Sequence, residues 1–281
     1  MINLDGNIVK EENAKLSVLN RGFAYGDSVF ETVRVINGKI MFWEDHYFRL
    51  MASMRIMRME IPSSFSPEFL EKEIIEIIEA NDLSASAARI RFAVYRLQGG
   101  YYTPATRDIG YVITAEAMEN SFYLFNDGSY EIELFKDHYV TSGLLSTIKS
   151  NNRAVNVLGS IYARENDYDN CLLLNEKKSV VEALNGNIFL VKGDKIKTPP
   201  IADGALNGII RKQLINILKK TEEYTLEETS ISPFELQKAD ELFITNVAVG
   251  IQPVSKYRKK KFENKVSKDL LSKLNVKARL G

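Results

Sequence analysis

The sequence Ser-Thr-Ile-Lys-Ser-Asn-Asn-Arg occupies residues 146–153 and contains one lysine, Lys149. Three later segments follow it: Val-Val-Glu-Ala-Leu-Asn-Gly-Asn-Ile-Phe (180–189), Leu-Asn-Gly-Ile-Ile-Arg (206–211) and Phe-Ile-Thr-Asn-Val-Ala-Val-Gly-Ile-Gln-Pro-Val (243–254). A lysine by itself indicates little, because most lysines are solvated surface residues. The ordered set of four segments is more informative than the lysine alone.

The first part of the chain carries hairpin and helix signals. Asp5-Gly6 and Asn37-Gly38 each separate apolar segments, as the two-residue turns of β-hairpins do. Apolar residues recur at spacings of three and four between Trp43 and Met57, which predicts a helix. Ser66-Pro67 is typical of a helix start, with a capping serine and proline at the first helical position. Strands are predicted over residues 88–96 and 110–117.

Residues 118–128 are the most polar and turn-rich stretch between apolar segments, and they are the predicted domain boundary. We therefore expect a small N-terminal α/β domain at 1–117, a linker at 118–128 and a larger C-terminal α/β domain at 129–281. In the second domain, predicted strands alternate with predicted helices. The strands lie near 130–140, 171–175, 186–192 and 242–247, and the helices near 153–167, 207–220, 232–239 and 265–275.

Composition excludes several classes of function. The 37 basic and 37 acidic residues leave no net charge that would attract nucleic acid or an anionic membrane. No apolar run approaches the ~20 residues that span a bilayer, and no cluster of cysteine and histidine suggests a metal site. The single cysteine, Cys171, excludes an internal disulfide, and no signal peptide is recognisable. These features predict a soluble, cytoplasmic protein that binds neither nucleic acid nor a membrane.

Two upstream segments accompany the lysine segment and the three that follow it: Tyr-Gly-Asp-Ser-Val-Phe-Glu-Thr (25–32) and Asp-His-Tyr-Phe-Arg-Leu (45–50). As an ordered set, these six segments resemble the class-IV pyridoxal-phosphate enzymes. That family includes branched-chain aminotransferases, D-amino-acid aminotransferases and aminodeoxychorismate lyases, and the resemblance covers about residues 1 to 255. It implies a two-domain α/β (α+β) fold of type IV, similar to D-amino-acid aminotransferase, with pyridoxal 5'-phosphate in the interdomain cleft. It also implies an enzyme that acts on a small amine or amino acid and forms a homodimer.

The resemblance assigns a role to each matching residue. Lys149 corresponds to the lysine that binds the cofactor aldehyde, which requires partial desolvation near another cation to expose the free amine. Glu182 corresponds to the carboxylate that keeps the ring nitrogen protonated, so that the ring accepts negative charge. Arg49 corresponds to the arginine that binds the cofactor phosphate, and His46 beside it is expected to be structural. The remaining cofactor contacts are expected at Gly208, Ile209, Ile210, Asn246 and Val247.

The subtype within the family stays open. Branched-chain aminotransferases usually have a tyrosine five residues after the lysine, where this chain has Ala154. D-amino-acid aminotransferases carry an Arg-x-His pair near 96–107, where this chain has no histidine. Asn152-Arg153, Asn207-Gly208-Ile209 and Thr245-Asn246-Val247 resemble the lyases. The sequence therefore favours 4-amino-4-deoxychorismate lyase, with a branched-chain aminotransferase as the alternative. A D-amino-acid aminotransferase and a non-catalytic pyridoxal-phosphate-binding protein are the remaining interpretations.

The expected substrate contacts follow from the same resemblance. Tyr101 stands where lyases often have an arginine after paired glycines, here Gly99-Gly100. Arg96 and Arg107 are the candidates to replace that cation. The complete set of expected substrate residues is Tyr25, Thr32, Arg96, Tyr101 and Asn246.

Overall fold

The computed structural model describes the backbone of residues 1–280 and the side chains of residues 1–279. The chain forms two compact units: Met1–Ser121 with Ile148–Asn152, and Phe122–Thr147 with Arg153–Gly281. The first division falls inside the predicted linker at 118–128. The sequence placed Lys149 in the C-terminal domain, whereas the structure places its segment in unit 1, where backbone hydrogen bonds join it to a strand.

Unit 1 contains one antiparallel sheet and three helices. The sheet order is β2-β1-β6-β5-β3-β4. Its strands are β1 (Ile2–Leu4), β2 (Asn7–Val9), β3 (Ser28–Ile36), β4 (Lys39–Ile40), β5 (Ala87–Arg96) and β6 (Ile109–Met118). Its helices are α1 (Arg21–Tyr25), α2 (Trp43–Ile56) and α3 (Pro67–Glu79).

Local sequence explains most of unit 1. Asp5 and Gly6, like Asn37 and Gly38, have positive φ angles, which are the conformations that tight hairpins require. The side chain of Ser66 accepts a hydrogen bond from the N–H group of Phe69, which caps α3 as predicted. Alternate residues of β3 and β5 are buried against the apolar faces of α2 and α3 in one hydrophobic core. The opposite side chains of these strands therefore point to the other face of the sheet.

Unit 2 contains two five-stranded sheets, with the orders β12-β11-β10-β13-β14 and β16-β15-β7-β8-β9. The strands are β7 (Glu131–Val140), β8 (Asn170–Asn175), β9 (Val180–Ala183), β10 (Asn187–Lys192), β11 (Lys195–Thr198), β12 (Thr225–Glu228), β13 (Glu241–Asn246), β14 (Gly250–Val254), β15 (Lys256–Tyr257) and β16 (Lys260–Lys261). The helices are α4 (Leu144–Thr147), α5 (Ala154–Glu165), α6 (Ile209–Leu218), α7 (Pro233–Leu236) and α8 (Lys265–Leu280).

Both sheets of unit 2 contribute buried residues to a shared hydrophobic core. Cys171 lies in a smaller core between β8 and α5, and burial raises the pKa of its thiol to about 11. The predicted capping box at Ser232 and Glu235 is present at the start of α7. Among the described residues, no helix is long and apolar enough to cross a membrane, and no group of ligating side chains is arranged to hold a metal ion.

Candidate active site

The Lys149 segment extends along the free edge of β3 in unit 1. The N–H group of Phe30 donates to the Lys149 carbonyl at 2.8 Å, and the N–H group of Asn151 donates to the Ser28 carbonyl at 2.9 Å. The lysine is half-buried, and its Nζ atom lies 4.5 Å from the ring centroid of Phe30. This environment partly desolvates the amine, as the covalent attachment of an aldehyde requires.

Thr32 and Arg91 lie on the same sheet face as Phe30. Thr32 follows Phe30 by two residues in β3, so their side chains point the same way. Arg91 is directly opposite Thr32 in the register of β5. The Arg91 guanidinium carbon lies 3.8 Å from the ring centroid of Phe30, and its Nη2 donates to Asn151 Oδ1 at 3.1 Å. The face that carries Lys149 therefore also carries a hydroxyl group and a cation.

Arg91 is a half-buried cation without a carboxylate partner among the described residues. Burial, and then the charge of Arg89, lower its pKa from the ordinary value. A guanidinium remains charged at neutral pH despite such a shift. The charge is therefore suited to bind an anion. Arg91 was not predicted from the sequence, because only its register with Thr32 places it on this face of the sheet.

Arg49 belongs to a buried cluster on the opposite, helix-covered side of β3. Its Nε and Nη2 donate to the two carboxylate oxygens of Glu31 at 2.7 and 2.5 Å. His46 Nδ1 lies 2.7 Å from Glu31 Oε2. Burial lowers the pKa of His46, so the neutral imidazole donates its Nδ1 proton to Glu31. His46 thus has the structural role expected for it, and Glu31 fixes the orientation of the arginine that was predicted to bind phosphate.

In unit 2, Glu182 lies next to the turn that precedes α6. Glu182 is 6 % exposed and forms part of β9. Its Oε2 accepts a hydrogen bond from the N–H group of Leu206 at 2.9 Å. A buried carboxylate that a backbone donor holds in one orientation is suited to face a protonated ring nitrogen.

The N-terminus of α6 forms the predicted phosphate turn. Gly208 is the N-cap residue and no side chain caps the helix, so the N–H groups of the first turn remain available as donors. A Cβ atom on Gly208 would lie 2.0 Å from Asn187 Oδ1, which explains why glycine occupies this position. Asn187 Nδ2 in turn donates to the Leu206 carbonyl at 2.8 Å.

The loop after β13 contains the second predicted phosphate contact. Thr245 pairs with Asn187 in the register of β10 and β13, and its buried Oγ1 atom has no hydrogen-bond partner. Asn246 Oδ1 accepts hydrogen bonds from the N–H groups of Ala248 and Val249, both at 3.0 Å. Asn246 therefore stabilises its own loop through its amide oxygen.

The predicted substrate residues Tyr25, Tyr101 and Arg96 lie around the end of β5. Tyr25 ends α1 and is partly exposed, and Tyr101 is 84 % exposed. Arg96 is buried. Its Nε donates a hydrogen bond to Asp27 Oδ2 at 2.8 Å, and its other two nitrogens donate to the carbonyl oxygens of Met57 and Arg58. All three guanidinium nitrogens of Arg96 thus form hydrogen bonds inside the protein, whereas Arg107 is exposed.

These residues fit pyridoxal phosphate. Within unit 1, the partly desolvated amine of Lys149 suits the cofactor aldehyde; within unit 2, the buried Glu182 carboxylate suits the ring nitrogen and the N-terminus of α6 suits the phosphate. The buried, unpartnered hydroxyl of Thr245 is one further donor near the same turn. Those are the amine, the anion and the phosphate donors that the cofactor requires of a protein.

Comparison with known proteins identifies the family. The family described as amino-transferase class IV matches residues 28–257. A Methanocaldococcus jannaschii protein provisionally named a branched-chain-amino-acid aminotransferase is 32 % identical over 276 residues, which are 98 % of this chain and 94 % of the relative. The aminodeoxychorismate lyase of Vibrio harveyi is 24 % identical over 238 residues, covering 84 % and 85 % of the two chains.

A solved structure supports the same assignment. The branched-chain amino acid aminotransferase of T.th., determined with pyridoxamine 5'-phosphate, superimposes with a TM-score of 0.85 and 26 % identity. The superposition covers 96 % of this chain and 91 % of that structure. The mixed α/β fold and the cofactor family expected from the sequence are thereby confirmed.

Proposed function

Because this chain belongs to the class-IV aminotransferase family of pyridoxal-phosphate enzymes, we propose that it is a 4-amino-4-deoxychorismate lyase, which releases pyruvate and forms 4-aminobenzoate. The observation that carries this choice is Arg91, a half-buried cation without an acidic partner, among the described residues, on the face that bears Lys149 and Thr32. Such a face suits a substrate that combines carboxylates with a ring. A branched aliphatic side chain offers this guanidinium no anion of its own.

Bound pyridoxal phosphate supplies an electron sink for the carbon that bears the substrate amine. Lys149 then acts as the general base that removes the proton from this carbon. The bond from the adjacent ring carbon to oxygen breaks, enolpyruvate leaves with the electron pair, and the ring becomes aromatic. Lys149 returns its proton to the leaving group, which becomes pyruvate. The Thr32 hydroxyl is placed to hydrogen-bond the substrate on the same face.

Glu182 and the α6 N-terminus hold the cofactor in a reactive state. Glu182, held in place by the Leu206 N–H group, would pair with the ring nitrogen and keep it protonated once the cofactor is bound. We propose that the N–H groups of Ile209 and Ile210, with Val247, bind the phosphate. Arg49, oriented by Glu31, is proposed to add a charged donor to the phosphate.

Transamination is the second candidate function. The Arg91 guanidinium also suits the distal carboxylate of glutamate or 2-oxoglutarate, the usual amino donor and acceptor of aminotransferases. The identity of 32 % to a provisionally named branched-chain-amino-acid aminotransferase favours this alternative. Ala154 opposes it, because alanine at the start of α5 has no hydroxyl group to donate to the cofactor.

One experiment separates the two reactions. Purified enzyme loaded with pyridoxal phosphate is mixed with aminodeoxychorismate, and in parallel with leucine plus 2-oxoglutarate, while 4-aminobenzoate, pyruvate and glutamate are measured. We expect 4-aminobenzoate and pyruvate in equal amounts, formed much faster than glutamate. Fast glutamate formation without 4-aminobenzoate would replace the lyase assignment with the aminotransferase. No product in either mixture would support a binding protein without turnover.

Thr32 provides matched variants for the same assay. Thr32→Val removes the hydroxyl group while it keeps the shape, and Thr32→Ser keeps the hydroxyl group. We expect Thr32→Val to lose most lyase turnover and Thr32→Ser to retain it, with unchanged cofactor absorbance in both.

We also propose that the enzyme is a cytoplasmic homodimer, and sedimentation analysis tests the dimer.

A further inference from the structure

The segment that joins β5 to β6 contains a tight turn with exposed aromatic side chains. Gly99 and Gly100 have φ angles of 119° and 73°, and a Cβ atom on Gly100 would lie 2.1 Å from the Thr103 carbonyl oxygen. Tyr101 and Tyr102 follow at the tip and are 84 % and 91 % exposed. A short turn with few buried side chains needs contacts from elsewhere to hold one conformation.

Arg21 provides those contacts. Its Nη1 atom donates to the carbonyl oxygens of Gly99, Gly100 and Tyr101 at 3.2, 3.3 and 2.6 Å. The residue is only 4 % exposed, so these hydrogen bonds are shielded from water. Three consecutive carbonyls on one charged donor fix the direction of the backbone through the turn.

Asp27 connects the tip of this segment with its base. Asp27 Oδ2 accepts from Arg21 Nε at 2.9 Å and from Arg96 Nε at 2.8 Å. Arg96 is the last residue of β5, and its remaining nitrogens bind the carbonyls of Met57 and Arg58. Two buried guanidinium groups share one carboxylate, and backbone carbonyl dipoles compensate the second positive charge.

An aromatic contact extends the cluster to the surface. The Arg21 guanidinium carbon lies 4.8 Å from the ring centroid of Tyr25, and the Tyr25 ring centroid lies 5.8 Å from that of Tyr102. The orientation of Tyr102 is therefore coupled to the buried cluster through Tyr25.

We propose that Arg21 is a positioning residue that holds residues 99–102 in the conformation that recognises substrate. The inference rests on the proposed function in one respect, namely that Tyr101 contacts the substrate. The Nε and Nη1 atoms of Arg21 bind Asp27 and three backbone carbonyls, and the residue is only 4 % exposed, so we assign it a positioning role rather than a contact with a substrate carboxylate. The guanidinium thus acts through the backbone that it fixes.

The test uses the cofactor-loaded, full-length enzyme with Arg21→Lys and Arg21→Gln. Arg55→Gln is the matched control, because Arg55 is an exposed arginine on α2. Chymotrypsin cleavage after Tyr101 or Tyr102, located by mass spectrometry, reports the order of the segment independently of catalysis. We expect Arg21→Gln to be cleaved roughly tenfold to a hundredfold faster than wild type, because charged hydrogen bonds to the turn are lost. We expect the cleavage rate of Arg21→Lys to lie between those of wild type and Arg21→Gln, since an ammonium group can bind a single carbonyl.

Kinetics distinguish positioning from a general loss of structure. We expect KM for the turned-over substrate to rise about tenfold or more in Arg21→Gln, with wild-type cofactor affinity and partial rescue in Arg21→Lys. Wild-type cleavage and KM in both variants would overturn the proposal, as would a loss of cofactor affinity equal to the rise in KM. If Arg21→Gln does not fold, amide hydrogen exchange of residues 99–105 is compared between Arg21→Lys and wild type, and this comparison tests the proposal instead. If neither candidate substrate reacts, the proposed function fails while the cleavage rates still test Arg21.

Discussion

The guanidinium of Arg49 binds the buried carboxylate of Glu31 through both of its oxygens, at 2.7 and 2.5 Å. This geometry locks the arginine on α2 in one orientation. We predict that Arg49→Ala lowers the affinity for pyridoxal phosphate roughly tenfold to a hundredfold, the effect of losing one charged hydrogen bond. Absorbance titration of the cofactor measures the affinity. An unchanged affinity would show that Arg49 serves only the buried ion pair.

The Glu31 carboxyl group makes stability depend on pH at the acidic end. Burial raises the pKa of Glu31, but the charge and hydrogen bonds of Arg49, with the hydrogen bond of His46, outweigh it and lower the pKa from 4.5 to about 2. The folded state therefore binds this proton less readily than the unfolded state does. The resulting stabilisation, roughly 3 kcal/mol, is complete above the unfolded pKa and is lost as the pH falls from about 4.5 to about 2.

Glu31→Gln tests this dependence. The variant loses the charge partner of Arg49, so we predict that its free energy of unfolding at pH 7 falls by about 3–5 kcal/mol. Its stability should also decline less steeply than that of wild type below pH 4.5. Urea unfolding at pH 7 and at successively lower pH values measures both effects. Parallel pH profiles for the two proteins would contradict the assignment.

Lys149 is predicted to attach the cofactor covalently. Lys149→Ala should lose the yellow absorbance that borohydride bleaches in the wild type, together with all turnover, because the variant has no amine over the Phe30 ring. Spectra before and after borohydride treatment are the measurement, and circular dichroism confirms the fold. Retention of both the absorbance and the activity would transfer the role to another lysine.

Glu182→Gln is predicted to keep the fold and the bound cofactor but to lose activity. Glutamine retains the acceptor for the Leu206 N–H group, yet it provides no negative charge for a protonated ring nitrogen. Removal of one strong charge-stabilising partner costs about 10²- to 10³-fold in turnover. Steady-state rates at saturating cofactor measure the loss. A rate within twofold of wild type would mean that Glu182 is a structural carboxylate.

The sequence predicted the features that depend on local pattern. The hairpins at Asp5-Gly6 and Asn37-Gly38, the cap at Ser66 and the glycine before α6 are present, because each depends on the φ angles or capping groups of adjacent residues. The sequence also indicated that Glu182 has a specific partner, since it is an acidic residue between apolar neighbours in a strand, and its role at the cofactor stays a prediction.

Other features depend on contacts between distant parts of the chain. The sequence could not assign Lys149 to unit 1, because its segment joins β3 through backbone hydrogen bonds that any residues can form. Arg91 and Glu31 look like ordinary charged residues of alternating strands. Their roles emerge only from the register of β3 with β5 and from the packing of α2 on the sheet.

Arg91 provides the last prediction, because it separates a substrate anchor from a structural arginine. Its guanidinium lies on the Lys149 face without an acidic partner among the described residues, so it gains an anion only when a carboxylate binds. Arg91→Met retains the length and apolar stem but removes the charge, and we expect it to raise KM for the carboxylate-bearing substrate roughly tenfold to a hundredfold. Arg91→Lys should restore part of the affinity, since a point charge replaces the planar fork.

Arg89→Met is the control, because Arg89 lies two residues earlier in the same strand and forms an exposed ion pair with Glu116. Cofactor affinity should be unchanged in all three variants. An equal rise in KM for Arg89→Met would instead attribute the effect to the general charge of β5.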